Sequence, residues 1–544
     1  MYTSLSDRRL NIRIFAKIFI MRLLITCFFC VSVLFLNAQE KPKAKLNWYL
    51  LDPKEDKVFG VGAEKAYRML KEKGKKSEEV VVAVIDSGVE TDHPDLKNNI
   101  WVNKGEIPGN GIDDDGNGYV DDVHGWSFLG GEKEDIEFEA LEVARMYKRE
   151  HAYFEGKTDE TIAVIDKERY LNYKTLEVSY LKEKENSEAQ MAQIKMISEY
   201  MEKVKKTNNG KFTRKANKKY KPQNDQEKRM KKGLGLITLF MSAEELSAQV
   251  EEGYSMMSGQ MKMNEMDMDS VRRAIVGDDP LNVNERIYGC NRYEGPDAMH
   301  GTHVSGIIAA ERGNNLGIEG IADNAKIMVL RAVPNGDERD KDVANAIRYA
   351  ADNGAKVINM SFGKYYTPNK KIVDEAIQYA ASKDVLLVHA AGNDAKNKDI
   401  EDSYPTRLLD NGSTAANWLD IGASSSSKKK LLAEFSNYGL KSVDFFAPGV
   451  DIYSTVPDAK YGDASGTSMA CPATAGVAAL IRSYFPELSA VEVAEVLMKT
   501  VEPYKKTVIT PGLKKKEGKT TVNQVCVTGG FVNAANAVEF LLNR

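Results

Sequence analysis

The chain has 544 residues, room for one large domain with additions or about three domains of ordinary size. Its 42% hydrophobic and 28% charged residues suit a folded globular protein and exclude a disordered or collagen-like one. A net charge of −4 and a pI near 6.1 give no global attraction for nucleic acid, so none is expected as a partner.

The first predicted element is a leader. "MRLLITCFFCVSVLFLNAQ" (21–39) places a basic residue before an apolar run and small Ala38 before Gln39. This pattern predicts a signal peptide over 1–38, cut after Ala38. The apolar run Leu23–Leu36 is 14 residues long, short of the roughly 20 that span a bilayer. The expectation is a secreted protein, periplasmic or extracellular, with no stable membrane insertion after signal removal. Three cysteines then remain, Cys290, Cys471 and Cys526. An odd, sparse set makes no disulfide framework and no zinc site.

Along the remaining chain, "VVVAVID" (80–86), "AKIMVLRAV" (325–333), "AKVINMSFG" (355–363), "DVLLVHAAGN" (384–393) and "WLDIGAS" (418–424) are continuous apolar runs. Such runs suit strands buried on both faces of a parallel sheet. Helical patterns at 342–354 and 371–383 alternate with them. The prediction is an α/β fold: a doubly wound, mostly parallel sheet with helices on both faces. Ligands of such sheets bind beyond the carboxyl ends of the strands, where Asp86, Ser361 and Asn393 fall.

Between the first strand and the rest lie two unusual stretches. "GIDDDGNGYVDDVHGW" (111–126) alternates Asp113, Asp115 and Asn117, then supplies Gly118 and the Tyr119 carbonyl, like the first half of a calcium loop. His124 stands at the twelfth position, so it is no EF-hand, and Asp121 or Asp122 is left to complete the shell. The alternatives are a structural Ca²⁺ held by Asp113, Asp115, Asn117, Tyr119 and Asp121, or an acidic surface turn. Residues 127–290 are highly charged and read as an α-helical insertion that divides the main domain into 39–126 and 291–544. Met191, Ile194, Ile197, Met201 and Val204 form one apolar stripe; Tyr170, Tyr173, Leu176 and Tyr180 form another. Residues 201–232 hold 13 Lys or Arg against 3 Asp or Glu and read as a solvated or disordered loop.

The last predicted elements carry chemistry. "DASGTSMACPATAGVAAL" (463–480) leads through small residues into a buried helix, with Ser468 at its positive end. If the helix starts at Met469, Pro472 is its fourth residue and breaks no hydrogen bond. Alone, Ser468 reads as an N-cap. "HGTHVSGIIAA" (300–310) offers His300 as a base, with His303 on another face as a structural histidine. Asp86 ends a strand, and Asn393 ends another beside a glycine turn.

Together, "VIDSGVETDHPDL", "HGTHVSGIIAA", "AAGN" and "SGTSMACPATAG" resemble the subtilisin-like serine proteases, in that family's order of Asp, His, Ser. The resemblance covers about 79–126 and 291–544, with support from "GGFVNAANAV" (529–538). It implies Asp86 as the orienting acid, His300 as general base and acid, Ser468 as nucleophile and Asn393 as oxyanion donor. It also implies that Ser361, Phe362 and Gly363 pair with an extended substrate backbone. The expected partner is therefore a protein or peptide substrate, the protein a monomer, and catalysis free of cofactors. Three departures stand out. Cys471 occupies a position often held by serine and reads as a small buried filler. The interval from Asp86 to His300 is wide. The segment 39–76 is short for a folding-assisting propeptide.

Overall fold

The computed structural model describes residues 46–239 and 242–544. The predicted leader, 1–38, lies outside the described residues. The chain divides into two compact units: Ala44–Met146 with Met263–Arg544, and a second that contains Tyr147–Lys262.

In the larger unit the apolar runs become strands. They are β1 (Val80–Asp86), β2 (Gly125–Ser127), β3 (Ala325–Arg331), β4 (Val357–Met360), β5 (Leu386–Ala390), β6 (Trp418–Ser424) and β7 (Phe445–Pro448). A hairpin of β8 (Ile452–Val456) and β9 (Lys460–Ala464) follows, then β10 (Glu502–Pro503), the pair β11 (Val508–Ile509) and β12 (Lys519–Thr520), and β13 (Gly530–Phe531). Nine strands form one sheet in the order β10-β13-β7-β6-β5-β4-β1-β3-β2. Every pairing in it is parallel except β10 with β13. Val84 of β1 lies opposite Val329 on one side and Asn359 on the other. The first strand is thus interior, and the chain winds outward from it both ways. That reversal opens a crevice at the strands' carboxyl ends.

Helices cover both faces, which is why the strands carry no polar alternation. Asp340–Asp352 and Lys370–Ser382 bury Ile347, Ala350, Val373 and Ile377 against Ile85, Ile358 and Leu387. On the other face the Thr467–Tyr484 helix crosses β1 and β3 to β7, and Met299–Ala309 packs beside it. Small residues allow that approach. A Cβ added at Gly301 would stand 2.1 Å from the Gly88 carbonyl oxygen, so no larger residue fits there.

The helical unit is narrower than the 127–290 insertion read from the sequence. Residues 127–146 and 263–290 belong to the larger unit. Several of their charges are buried and paired with that unit. Fully buried Arg272 donates to Asp278 at 2.8 Å and to both oxygens of Asp342 at 2.7 and 2.8 Å. Arg339 likewise donates to Glu139 at 2.8 Å.

Within the smaller unit the 40-residue helix Lys167–Lys206 buries Tyr170, Tyr173, Tyr180, Ile194, Met201 and Val204 of the two predicted stripes, and half-buries Leu176, Met191 and Ile197. Tyr170 and Tyr173 pack with Phe154 and Ile162. Met201 and Val204 pack with Phe212, Ala216, Leu234 and Leu246. The stretch 201–232, expected as a loop, is instead largely helical: the end of that helix, then Arg214–Lys219 and Asp225–Ile237. Two features overcome its charge. Thr213 and Asn224 cap the two short helices through Ala216 N–H and Glu227 N–H, and Phe212, Ala216 and Leu234 anchor them.

Candidate active site

Asp86 closes β1, nearly inaccessible at the crevice. Its Oδ1 accepts the Ser87 N–H at 2.8 Å and the His300 Nδ1–H at 2.7 Å, across 214 positions of sequence. His300 lies in the first turn of Met299–Ala309 and is half-exposed, with 38% of its side chain accessible. Burial opposes its protonation, but the Asp86 carboxylate outweighs that and raises its pKa above the ordinary histidine value. Because Nδ1 carries the proton, Nε2 is the basic nitrogen of the neutral ring.

Ser468 is the second residue of the Thr467–Tyr484 helix, not its cap; Gly466 holds the N-cap position. Pro472 is then the sixth residue, not the fourth, and lacks the N–H that Ser468 C=O would accept. The Ser361 hydroxyl fills that place, donating to Ser468 O at 3.0 Å. In return Ser468 Oγ donates to Ser361 O at 3.1 Å. This reciprocal pair fastens the helix start to the end of β4. Cys471 is buried, with Sγ 3.1 Å from Val388 O, and burial pushes its thiol pKa well up. His303 donates through Nε2 to Ile452 O and Gly462 O of the β8–β9 hairpin, and burial lowers its pKa to about 4.

Asn393 lies just beyond β5. Its Oδ1 accepts the Thr467 N–H at 2.8 Å and the Thr467 hydroxyl at 2.9 Å. Since an N–H needs an acceptor, this fixes which end of the amide is oxygen. Nδ2 is turned to Gly466, where an added Cβ would lie 3.6 Å from Asn393 Nδ2 and 3.5 Å from Ser468 N. Asn393 Nδ2 and Ser468 N thus lie close to one point beside Gly466. Thr467, which the sequence reading passed over, orients one of them; the signal was a second hydroxyl next to Ser468.

Ser361, Phe362 and Gly363 follow β4, and Ser361 is the one of the three that bonds to Ser468. Phe362 packs on the core and Gly363 is exposed. The next residue, Lys364, pairs its backbone with Tyr404 in both directions, at 2.9 and 2.8 Å. Its ammonium is buried and reaches Glu142 Oε2 at 2.9 Å, Asp340 Oδ1 at 2.8 Å and Glu338 O at 2.7 Å. Burial opposes that charge, but Glu142 and Asp340 hold it. Glu142 also pairs with Arg145, and despite its burial these two cations hold its carboxyl well below the usual range. Neither Lys364 nor Glu142 was singled out from sequence, where single charges carry no pattern.

The acidic loop gathers a set different from the one expected. Carboxylate oxygens of Asp113, Asp115 and Glu106 lie within 4.8 Å of one another. Asp121 turns away, its carboxylate accepting the N–H groups of Gly109, Asn110 and Gly111. Asn117 Oδ1 accepts the Tyr119 N–H, while its amide donates to Asp115 and Asp122. The Tyr119 ring is buried. Glu106 escaped notice because it precedes the motif.

An imidazole braced by a carboxylate and a serine hydroxyl in the first turn of a helix are residue types that nucleophilic acyl transfer uses. Comparison with known proteins identifies the group: residues 77–529 match the model of the subtilase family, and the chain belongs to it. The thermophilic serine proteinase of Bacillus sp. (strain AK1) is 43% identical over 185 residues, covering 34% of this chain and 42% of that protein. Thermitase of Thermoactinomyces vulgaris is 40% identical over 185 residues, 34% of this chain and 61% of its own. The chain thus spans less than two thirds of either relative. Among solved structures, a protease from Pseudoalteromonas arctica PAMC 21717 aligns over 93% of this chain and 99% of its own, at 19% identity and a TM-score of 0.47.

Proposed function

We propose that this protein is an exported serine endopeptidase. The observation that carries the reading is the 2.7 Å bond from His300 Nδ1 to Asp86 Oδ1, which leaves Nε2 basic, with Ser468 in the first turn of the helix packed against that of His300. Ser468 Oγ first leaves the Ser361 carbonyl and turns its proton to His300 Nε2. It then attacks the carbonyl carbon of an extended chain laid along Ser361–Gly363. His300 takes the proton, and Asp86 stabilises the resulting imidazolium. The carbonyl oxygen, now anionic, enters the space faced by Asn393 Nδ2 and Ser468 N–H. His300 gives its proton to the departing amine and the C–N bond breaks. Water, deprotonated by the same imidazole, releases the acyl group and restores the serine.

Export follows from the leader pattern. Among the described residues no helix is long and apolar enough to cross a membrane. A structural calcium ion fits the acidic loop through Glu106, Asp113 and Asp115, whose clustered carboxylates repel one another without a cation. It lies outside the reaction. The test is Ser468→Ala, which should abolish hydrolysis of unfolded casein; retained hydrolysis would overturn the reading.

A further inference from the structure

The smaller unit carries a charge distribution that the proposed chemistry does not use. Arg214–Lys219 turns Ala216 and Asn217 inward, where Tyr200 OH donates to Asn217 Oδ1 at 2.6 Å. Arg214, Lys215, Lys218 and Lys219 are left exposed. On the next helix, Asp225–Ile237, Leu234 is buried, while Arg229, Lys232 and Leu236 recur at helical spacing on the outer side. None of these six cations forms an ion pair among the described residues, whereas Lys203, Lys205 and Lys228 do. The outer stripe then changes character. Leu236 is 54% exposed, and Leu239, just past the helix end, is 46% exposed.

Unpaired cations running into exposed leucines match an interface with phosphate groups outside and hydrocarbon beneath. A single-stranded nucleic acid would be met by aromatic rings for base stacking. Here Tyr220 packs edge-on against buried Tyr200 instead, with ring centres 5.5 Å apart. We propose that this basic face of the Tyr147–Lys262 unit docks on an anionic phospholipid surface, the cations meeting headgroup phosphates and Leu236 and Leu239 entering the acyl boundary. This is surface adsorption, not insertion, and it does not depend on the peptidase reading.

The test is cosedimentation of the full chain, in an autolysis-free Ser468→Ala background, with vesicles of phosphatidylcholine alone or with one third phosphatidylglycerol. Binding should need phosphatidylglycerol and weaken with salt. Replacing Arg214, Lys215, Lys218 and Lys219 together by Gln should weaken it at least about 100-fold, since each cation near an anionic surface adds severalfold. Leu236→Ser with Leu239→Ser should weaken it about 10-fold and leave the salt dependence unchanged. All these sites are exposed, and the melting temperature of each variant verifies folding. Equal binding to phosphatidylcholine alone, no binding to either vesicle, or indifference to the four Gln substitutions would overturn the proposal. So would displacement by inorganic phosphate, which would indicate a free-anion site. Tighter binding to duplex DNA than to vesicles, unaffected by the leucine changes, would assign the face to nucleic acid and likewise refute it.

Discussion

Lys364 is a strong place to perturb this molecule, because it follows the Ser361–Gly363 segment directly and its charge is buried. Removing one partner of a buried ion pair costs about 3–5 kcal/mol, because the other charge is left stranded. Here the strand is partial. With Glu142→Gln, Lys364 keeps Asp340 and the Glu338 carbonyl, and Arg145 keeps Glu139. The expected loss is therefore near the lower bound, about 3 kcal/mol. Lys364→Met leaves Glu142 with Arg145 but strips Asp340 of its cation, and should cost a similar amount. The double variant removes both charges and should cost about 2 kcal/mol less than the sum of the singles. At about 2.1 cal/mol/K per residue, a unit of this size has an unfolding entropy near 0.8 kcal/mol/K, so each single variant should melt roughly 4 K lower. Calorimetry in a Ser468→Ala background avoids autolysis. Singles that melt within about 1 K of the parent, or effects that simply add, would refute the claim that this pair holds the segment.

Three further outcomes follow from the geometry. Asn393→Ala should lower kcat by roughly 10²–10³ with little change in KM, the loss seen when a subtilisin is deprived of such a donor; unchanged kcat would discard the oxyanion role. His303, with a pKa near 4, is neutral in the folded state, whereas the unfolded chain binds its proton below about 6.5. Stability should therefore fall by roughly 3 kcal/mol as pH drops from 6.5 to 4, and His303→Gln should flatten that slope in denaturant titrations; equal slopes would contradict it. Calcium chelation should lower the melting temperature, and Glu106→Gln should remove most of that sensitivity, while an unaltered melting curve would rule out the cation.

The strands were legible because burial on both faces leaves an unmistakable mark: runs such as "VVVAVID" without alternation. Asp86 and His300, which meet at 2.7 Å, were legible in short words, one ending a strand and one opening a helix. What escaped depends on partners far along the chain. With Pro472 as sixth helical residue, the Ser468 carbonyl is satisfied instead by Ser361, over 100 positions away. Charge density led 127–146 and 263–290 to be counted with the helical insertion, since a sequence does not reveal that Arg272 will meet Asp342. The acidic loop misled similarly. Asp121 looked like a ligand by spacing, yet the carboxylate that joins Asp113 and Asp115 is that of Glu106, which lies outside the motif.

The central claim is that Ser468 is the nucleophile made reactive by His300 and Asp86. The most direct measurement is mass mapping of the adduct formed with a fluorophosphonate probe. The account predicts one adduct, on the peptide containing Ser468, absent from Ser468→Ala and strongly slowed in His300→Ala. An adduct on another residue, or labelling that persists in the Ser468→Ala protein, would contradict it.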